Sequence, residues 1–277
     1  MLKASVIQMN AQGDKPANLR SIADLVDGAV ARDKPDWILL PEHCEWLGGS
    51  AGAPGVAEPA TGGATWTLLS TLARQHKVWL HGGSFYERAA EPGKAYNTSV
   101  VFDRDGREVA RYRKIHLFDV TTADGARYCE SQTIIAGDDI VLYDCEGVTV
   151  GCTICYDLRF PELFQALVAR SAQLIALPAA FTLLTGRDHW EPLVRARAIE
   201  TQTWVAAAAQ WGSYPTPSGE RRSFGQSMIV DPWGSIVARV PDGIGHASAL
   251  IDLDRVAEVR EQIPVALNKA LGRRIAA

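Results

Sequence analysis

A chain of 277 residues, 47% hydrophobic and 22% charged, can bury a core without disulfide or metal staples. Its net charge of −4 argues against nucleic acid or an anionic membrane surface as a partner, because both call for basic patches. No apolar run reaches the ~18 residues of a spanning helix and no secretory leader precedes the first strand-like segment. Five cysteines, an odd number, form no dense framework, so the expectation is a cytoplasmic protein with reduced thiols. In chain order, Ala4–Met9 alternates as a strand. Asn18–Arg32 carries Leu19, Ile22, Leu25, Val26 and Ala29 at helical spacing, and Trp37–Leu40 is a short apolar strand that stops at Pro41. A helix over Trp66–Gln75 and a strand over Val78–Ser84 follow. Asn97–Phe102 and Glu108–Tyr112 flank the turn signal Asp103-Arg-Asp-Gly106. Gly147–Ile154 reads as a strand, Pro161–Arg170 as a helix with proline in its first turn, and Gln173–Leu177 as another strand. Trp190–Thr201 is helical, Trp204–Gln210 a strand, and Ser227–Val240 a hairpin around Asp231-Pro-Trp-Gly234.

The two halves echo each other. Trp37-Ile-Leu-Leu-Pro41 matches Leu174-Ile-Ala-Leu-Pro178, Val78-Trp-Leu matches Thr203-Trp-Val, and Val100–Arg111 matches Met228–Arg239, all at offsets of about 125 to 140 residues. This reads as a duplication: two α/β halves, each a sheet with helices on one face, packed sheet to sheet as a four-layer αββα sandwich. No linker-like stretch separates them, so a single domain over 1–277 is expected, with a core to about residue 255 and a tail from about 256. The Gly/Ala/Pro-rich Gly48–Gly63 stretch reads as a surface loop.

The sharpest local signal is the segment Val148–Leu163. A strand ending at Cys155, with a helix from Pro161, projects that thiol into the crevice where α/β sheets bind ligands. A buried cysteine is most often core filler, and Cys152-Thr-Ile-Cys155 also has redox-motif spacing. On a continuing strand, however, an offset of three puts the two side chains on opposite faces. Cys152 then packs with Val148, Val150 and Ile154, while Cys155 leads into the polar turn Tyr156, Asp157, Arg159. A thiol needs a base or a cation nearby. Glu42, directly after the apolar strand Trp37–Leu40, sits at the equivalent edge of its own sheet; a solvated carboxylate is the competing reading. Lys114 ends a hairpin strand beside Arg111 and Arg113, and matters only if buried.

A glutamate after an apolar strand, the run Lys114-Ile-His-Leu-Phe-Asp119 and the block Gly151–Leu163 occur in the order seen in the nitrilase superfamily, which the chain resembles from its first strand to about Asp252. The resemblance implies the αββα sandwich, a Glu42–Lys114–Cys155 triad and amide hydrolysis through a thioester. It implies a second glutamate, Glu130, that positions substrate, and an oxyanion hole from the Tyr156 amide and the Lys114 ammonium. It implies no cofactor and no metal, a small amide and water as the reactants, and a homodimer paired through helices near the nucleophile, to which Ile263–Ala277 could contribute. The segments 178–191, 195–200, 206–212 and 222–234 resemble the ω-amidase-like branch, and within it the deaminated glutathione amidases; Phe224-Gly-Gln226 departs from the Tyr-Gly-His usual there. Phe181 and Thr185 follow a strand end and are candidates for the pocket wall, with plain packing the competing reading for Phe181. Arg159 and Arg195 are candidate carboxylate partners, set against intramolecular pairs with Glu162 or Glu200. The six histidines show no metal-ligand cluster, and His116 and His189 read as structural. Other readings are a free ω-amidase, a broader amidase or carbamoylase, a thiol-redox protein using Cys152 and Cys155, or an idle binding member, whose mark would be a lost Glu, Lys or Cys.

Overall fold

In the computed structural model of the protein, which describes residues 1–122, 125–217 and 219–270, the chain passes twice through one order of elements. The first pass is β1 (Leu2–Gln8), α1 (Lys15–Asp33), β2 (Trp37–Leu39), the short α2 (Ala53–Val56), α3 (Ala64–His76), β3 (Trp79–His81), β4 (Phe85–Arg88), β5 (Ala95–Phe102) and β6 (Glu108–Arg113). A small hairpin, β7 (Asp119–Thr121) and β8 (Arg127–Cys129), separates the passes. The second pass is β9 (Leu142–Cys145), β10 (Val148–Cys152), α4 (Pro161–Ala169), β11 (Leu174–Ala179), α5 (Leu183–Thr201) and β12 (Trp204–Ala209). It continues through a two-stranded excursion, β13 (Trp211–Thr216) and β14 (Gly219–Phe224), into β15 (Met228–Val230) and β16 (Ile236–Arg239). Strand β17 (Gly245–Ile251) returns to β1 before α6 (Leu253–Gln262) and α7 (Val265–Asn268).

The expected duplication is visible in the hydrogen bonding. Along β17–β1–β2–β3–β5–β6 the pairings are antiparallel, parallel, parallel, antiparallel, antiparallel, and β9–β10–β11–β12–β15–β16 repeats that series. Strand alternation then sorts the side chains. Trp37 and Leu39 of β2 share a core with Val148, Val150 and Leu174 of the second sheet, whereas Ile38 and Leu40 pack with Ile22, Val26 and Leu69 of α1 and α3. Helices α4 and α5 bury Phe164, Leu167, Trp190 and Val194 on the far side of the second sheet. The result is the helix–sheet–sheet–helix sandwich. Helix α5 starts well ahead of the expected Trp190: the Thr182 hydroxyl accepts the Thr185 N–H and caps it, and Pro192 is accommodated inside.

One expectation about the cysteine segment is corrected. Strand β10 stops at Cys152, not Cys155: the N–H and the hydroxyl of Thr153 both donate to the Ala176 carbonyl of β11, and the pairing with β11 goes no further. Cys155 opens a 3₁₀ turn, Cys155–Arg159, at φ 48°. It therefore leaves the sheet, and strand parity with Cys152 does not apply to it. The turn is held by Asp157, which is fully buried and accepts four hydrogen bonds: from the Ile154 N–H at 2.8 Å, Tyr112 Oη at 2.7 Å, and the His116 N–H and Nδ1 at 3.1 and 2.7 Å. Tyr112 and His116 flank Lys114, so one carboxylate fixes the Cys155 turn against the Lys114 segment of the other half. Asp157→Asn turns one acceptor into a donor facing buried donors. The expected cost is about 2–4 kcal/mol, read as a lower midpoint in urea unfolding; an unchanged midpoint would refute the role.

The segment after Glu42 is anchored by Glu45. Its Oε1 accepts the Tyr86 N–H at 2.8 Å, while Oε2 is buried with no partner. Burial raises this carboxyl to about 7, against attraction from Lys15 and the Tyr86 bond. The unfolded chain ionises Glu45 near 4.5 and the folded one near 7. The stability it contributes is therefore complete below about pH 4.5 and lost as pH rises through 7. Glu45→Gln is expected to stabilise the protein relative to wild type at pH 8 and to leave it near wild type at pH 4.5, in paired thermal melts. Equal shifts at the two pH values would contradict the assignment.

Candidate active site

Glu42 follows β2 through a backbone made possible by glycine. The Leu40 N–H bonds the His81 carbonyl, and Gly83 turns back at φ 62°, where a Cβ would lie 2.1 Å from the Pro41 carbonyl oxygen. From the second half, Gln210 Nε2 donates to the Glu42 carbonyl at 2.9 Å. Lys114 lies one residue beyond β6, its N–H on the Asn97 carbonyl and its carbonyl taking the Gly137 N–H. Glu130 opens a short 3₁₀ turn after β8, and its Oε2 accepts the Phe118 N–H at 2.7 Å.

These segments bring Glu42, Lys114, Glu130 and Cys155 together at the floor of one cleft of about 720 Å³. Lys114 and Glu42 are each 2% exposed. Lys114 Nζ donates to Glu42 Oε1 at 3.1 Å and to Glu130 Oε2 and Oε1 at 2.8 and 3.2 Å. Asn97, which sequence reasoning missed, bridges the same two carboxylates from Nδ2 at 2.9 and 3.3 Å. Burial opposes charge on both partners, but the attraction wins. Lys114 is driven well above the ordinary lysine range by Glu130 and Glu42, and Glu42 is held at about 2, chiefly by Lys114. Cys155 is only 8% exposed. Burial and the Glu42 charge push its thiol well above its usual value, against the attraction of Lys114. The resting groups are thus a thiol, a carboxylate and an ammonium.

His43 adds a group the sequence reading left among scattered histidines. Its Nε2 lies 3.6 Å from Glu42 Oε1, its ring stacks on Tyr86 at 4.7 Å, and burial keeps it neutral. Ligand-type atoms of Glu42, His43 and Glu130 fall within 4.8 Å of one another. The cation held between the two carboxylates is already the Lys114 ammonium. Of the predicted wall residues, Tyr156, Phe181 and Thr185 line the cleft. Phe181 also packs on Trp190 at 5.0 Å, so both of its readings hold. Phe118, Tyr128, Tyr214 and Arg221 complete the wall and were not singled out from the sequence; they come from the two small hairpins and the loop after Lys114.

The expected arginine pairs are corrected. Arg159 contacts His189 Nδ1 at 3.3 Å and the Phe181 ring at 5.3 Å, not Glu162. Arg195 lies outside the cleft, bonding the Gly234 carbonyl at 2.8 Å and reaching Glu191 at 3.8 Å, while Arg197 takes Glu200 at 2.8 Å. All five cysteines are free thiols, and Cys152 packs between the sheets as expected.

The carbon-nitrogen hydrolase family model matches residues 3–261. A deaminated glutathione amidase from Synechocystis sp. is 41% identical over 266 residues, 94% of this chain and 95% of its own. The human deaminated glutathione amidase is 39% identical over 94% of this chain and 80% of its own. Among solved structures, the NitFhit protein of C. elegans superposes with a TM-score of 0.89 at 36% identity, over 98% of this chain and 65% of that one. Saccharomyces cerevisiae Nit3, a member of branch 10 of the nitrilase superfamily, gives 0.86 at 28%, over 98% and 96%. A buried carboxylate–ammonium–thiol cluster at the joint of a duplicated α/β sandwich, with this match over nearly the whole length, places the chain in the carbon–nitrogen hydrolase family of the nitrilase superfamily.

Proposed function

We propose that the protein is a deaminated glutathione amidase in which Cys155 is the nucleophile, Glu42 the general base and acid, and Lys114 the oxyanion donor. The observation that carries this is the cluster itself: the Lys114 ammonium held by Glu42 at 3.1 Å and by Glu130 at 2.8 Å, with the Cys155 thiol on the same cleft floor. Because Cys155 rests protonated, attack is coupled to proton transfer. Sγ bonds the amide carbon as Glu42 takes the thiol proton, and negative charge gathers on the carbonyl oxygen against Lys114 and the Tyr156 amide. Collapse breaks the carbon–nitrogen bond as Glu42 protonates the leaving amine. Water, deprotonated by Glu42, then hydrolyses the thioester and returns the thiol. Glu130 and Asn97 hold the ammonium and base in place, and Phe181 and Thr185 contact the substrate.

The substrate reading rests on the relatives named for it. A second reading, an ω-amidase acting on α-ketoglutaramate, draws on the 38% identity to Omega-amidase NIT2-A of Xenopus laevis. The protein acts as one domain over the whole chain, a reading supported by the core that both sheets share. It works in the cytoplasm, which five free thiols favour, and as a homodimer, for which exposed Leu184 and Ile199 on α5 offer apolar surface. No described helix is long and apolar enough to cross a membrane.

Cys155→Ala is expected to lose amine release by about 10⁴-fold or more while keeping the wild-type circular dichroism spectrum; retained turnover would remove Cys155 from the mechanism. Wild-type kcat/KM is expected to be higher for deaminated glutathione than for α-ketoglutaramate in a coupled product assay. The reverse order would favour the ω-amidase reading and leave the triad untouched.

A further inference from the structure

Strand β14 carries two successive arginines, Arg221 and Arg222, and the β13–β14 register separates them. Arg221 lies opposite Tyr214 and Arg222 opposite Ser213. Ser223, two residues on and so on the same face as Arg221, is buried, as is Tyr214, whereas Glu220 and Arg222 are exposed. Arg221 is thus turned into the cleft, where it is half-buried. Its guanidinium lies over the Tyr128 ring at 4.1 Å and donates to the Arg127 carbonyl at 3.3 Å. The side chain therefore ties the β13–β14 hairpin to the β7–β8 hairpin at the cleft wall, its cation over an aromatic ring.

Charge bookkeeping at the floor gives that position a purpose. Glu42 and Glu130 face one ammonium, Lys114, whose contacts run to three of their oxygens. That group carries a net charge of about −1 and repels an anionic substrate. Among the described lysines and arginines, only Lys114 and Arg221 line the cleft. Arg159 is occupied with His189 behind Phe181, and Arg195 is elsewhere. A guanidinium presents five donors in one plane and takes a carboxylate through two of them.

Resting on the amidase reading above, we propose that Arg221 is a specificity-determining residue: it binds a carboxylate of the amide substrate, away from the carbon that Cys155 attacks. Two carboxylates share that chemistry. One belongs to the acyl side, as in α-ketoglutaramate; the other lies on the leaving amine, as in the glycine end of deaminated glutathione.

The test compares wild type, Arg221→Gln and Arg221→Lys on deaminated glutathione, on its glycinamide analogue, on α-ketoglutaramate, and on the methyl ester of α-ketoglutaramate. Arg221→Gln is expected to lower kcat/KM by about 10- to 100-fold on the substrates whose carboxylate it holds, mainly through KM, with kcat altered less than about threefold. Arg221→Lys should recover part of the loss, as a point charge without the planar fork. A loss on both α-ketoglutaramate and deaminated glutathione, absent with the ester, places the acyl-side carboxylate at Arg221. A loss confined to deaminated glutathione with its free glycine carboxylate places the leaving side there. Equal effects on charged and neutral substrates, or none on any, overturn the inference and leave the amidase reading standing. A wild-type protein that hydrolyses none of the four overturns that reading and the inference with it.

Discussion

The arrangement of the site depends on one buried ammonium. Lys114, 2% exposed, is shielded from bulk solvent, and an unpaired charge there would cost several kcal/mol. Two carboxylates and the amide that bridges them compensate it, so Glu42, Glu130, Asn97 and Lys114 behave as one unit rather than four independent side chains. The unit has an excess of negative charge, and this sets the state of the thiol beside it. Burial first, and then the charge on Glu42, push the Cys155 thiol well above its usual value, and Glu42 is ionised because Lys114 is near. Thiol and carboxylate are therefore coupled through the same ammonium, and removing any one member changes the protonation of the others.

The duplication explains how such a unit meets a thiol. Glu42, Asn97 and Lys114 all come from the first pass and Glu130 from the segment just after it, while Cys155 and Ala180 come from the second. Neither half holds the set alone. In the matched strands, Pro41 is followed by Glu42 but Pro178 by Ala179, so equivalent strand ends have been given different tasks. Two contacts set the relative position of the halves at this point. Asp157 joins the Cys155 turn to Tyr112 and His116, and Gln210 reaches across to the Glu42 carbonyl. Both lie within a few ångströms of the chemistry, which is where small shifts are felt most.

Much of this was legible in the sequence, and the remainder was hidden for physical reasons. Helical spacing in α1 and the apolar runs of β2 and β11 reflect burial on two sides, so periodicity found them, and the repeated strand–proline pattern exposed the duplication. Glu42 and Lys114 could be noticed because each ends a well-marked strand. The route to Cys155 was wrong in its geometry: a left-handed φ followed by a 3₁₀ turn leaves no periodic trace, and the buried Asp157 that stabilises it looked like one polar residue in a turn. Glu130 rested on family resemblance, since a carboxylate in a loop carries no signal of the lysine it will meet. Asn97 was hidden inside an ordinary β-strand. Arg221, Tyr214 and Tyr128 were missed because their hairpins, of three to six residues per strand, lack apolar alternation. The Arg159–Glu162 pairing failed because Phe160, extended between the 3₁₀ turn and α4, breaks the continuous helix that would bring residues three apart together.

The division between floor and wall follows the same logic. The floor is fully buried, charge-coupled and tied by bonds between the halves, so substitutions there alter packing, protonation and mutual position together. The wall is built from aromatic side chains on short hairpins and loops: Phe118 lies against both Tyr128 and Tyr156 at 5.1 and 5.0 Å, and Arg221 caps Tyr128. These elements attach to the sandwich through the Thr182–Ser223 bridge, the Phe224 N–H on the Phe181 carbonyl, the Trp211 N–H on the Met9 carbonyl and the Asn10 amide on the Trp211 and Ser213 carbonyls. Changing a wall residue therefore redirects what the cleft accepts without touching the charge balance that drives the thiol. Phe224-Gly-Gln226, the segment that departs from its branch, lies at the foot of that wall, where Trp190 Nε1 donates to the Gln226 carbonyl and Gln226 Nε2 reaches Asp242. The departure is thus absorbed by the wall's support and stays clear of the reacting groups.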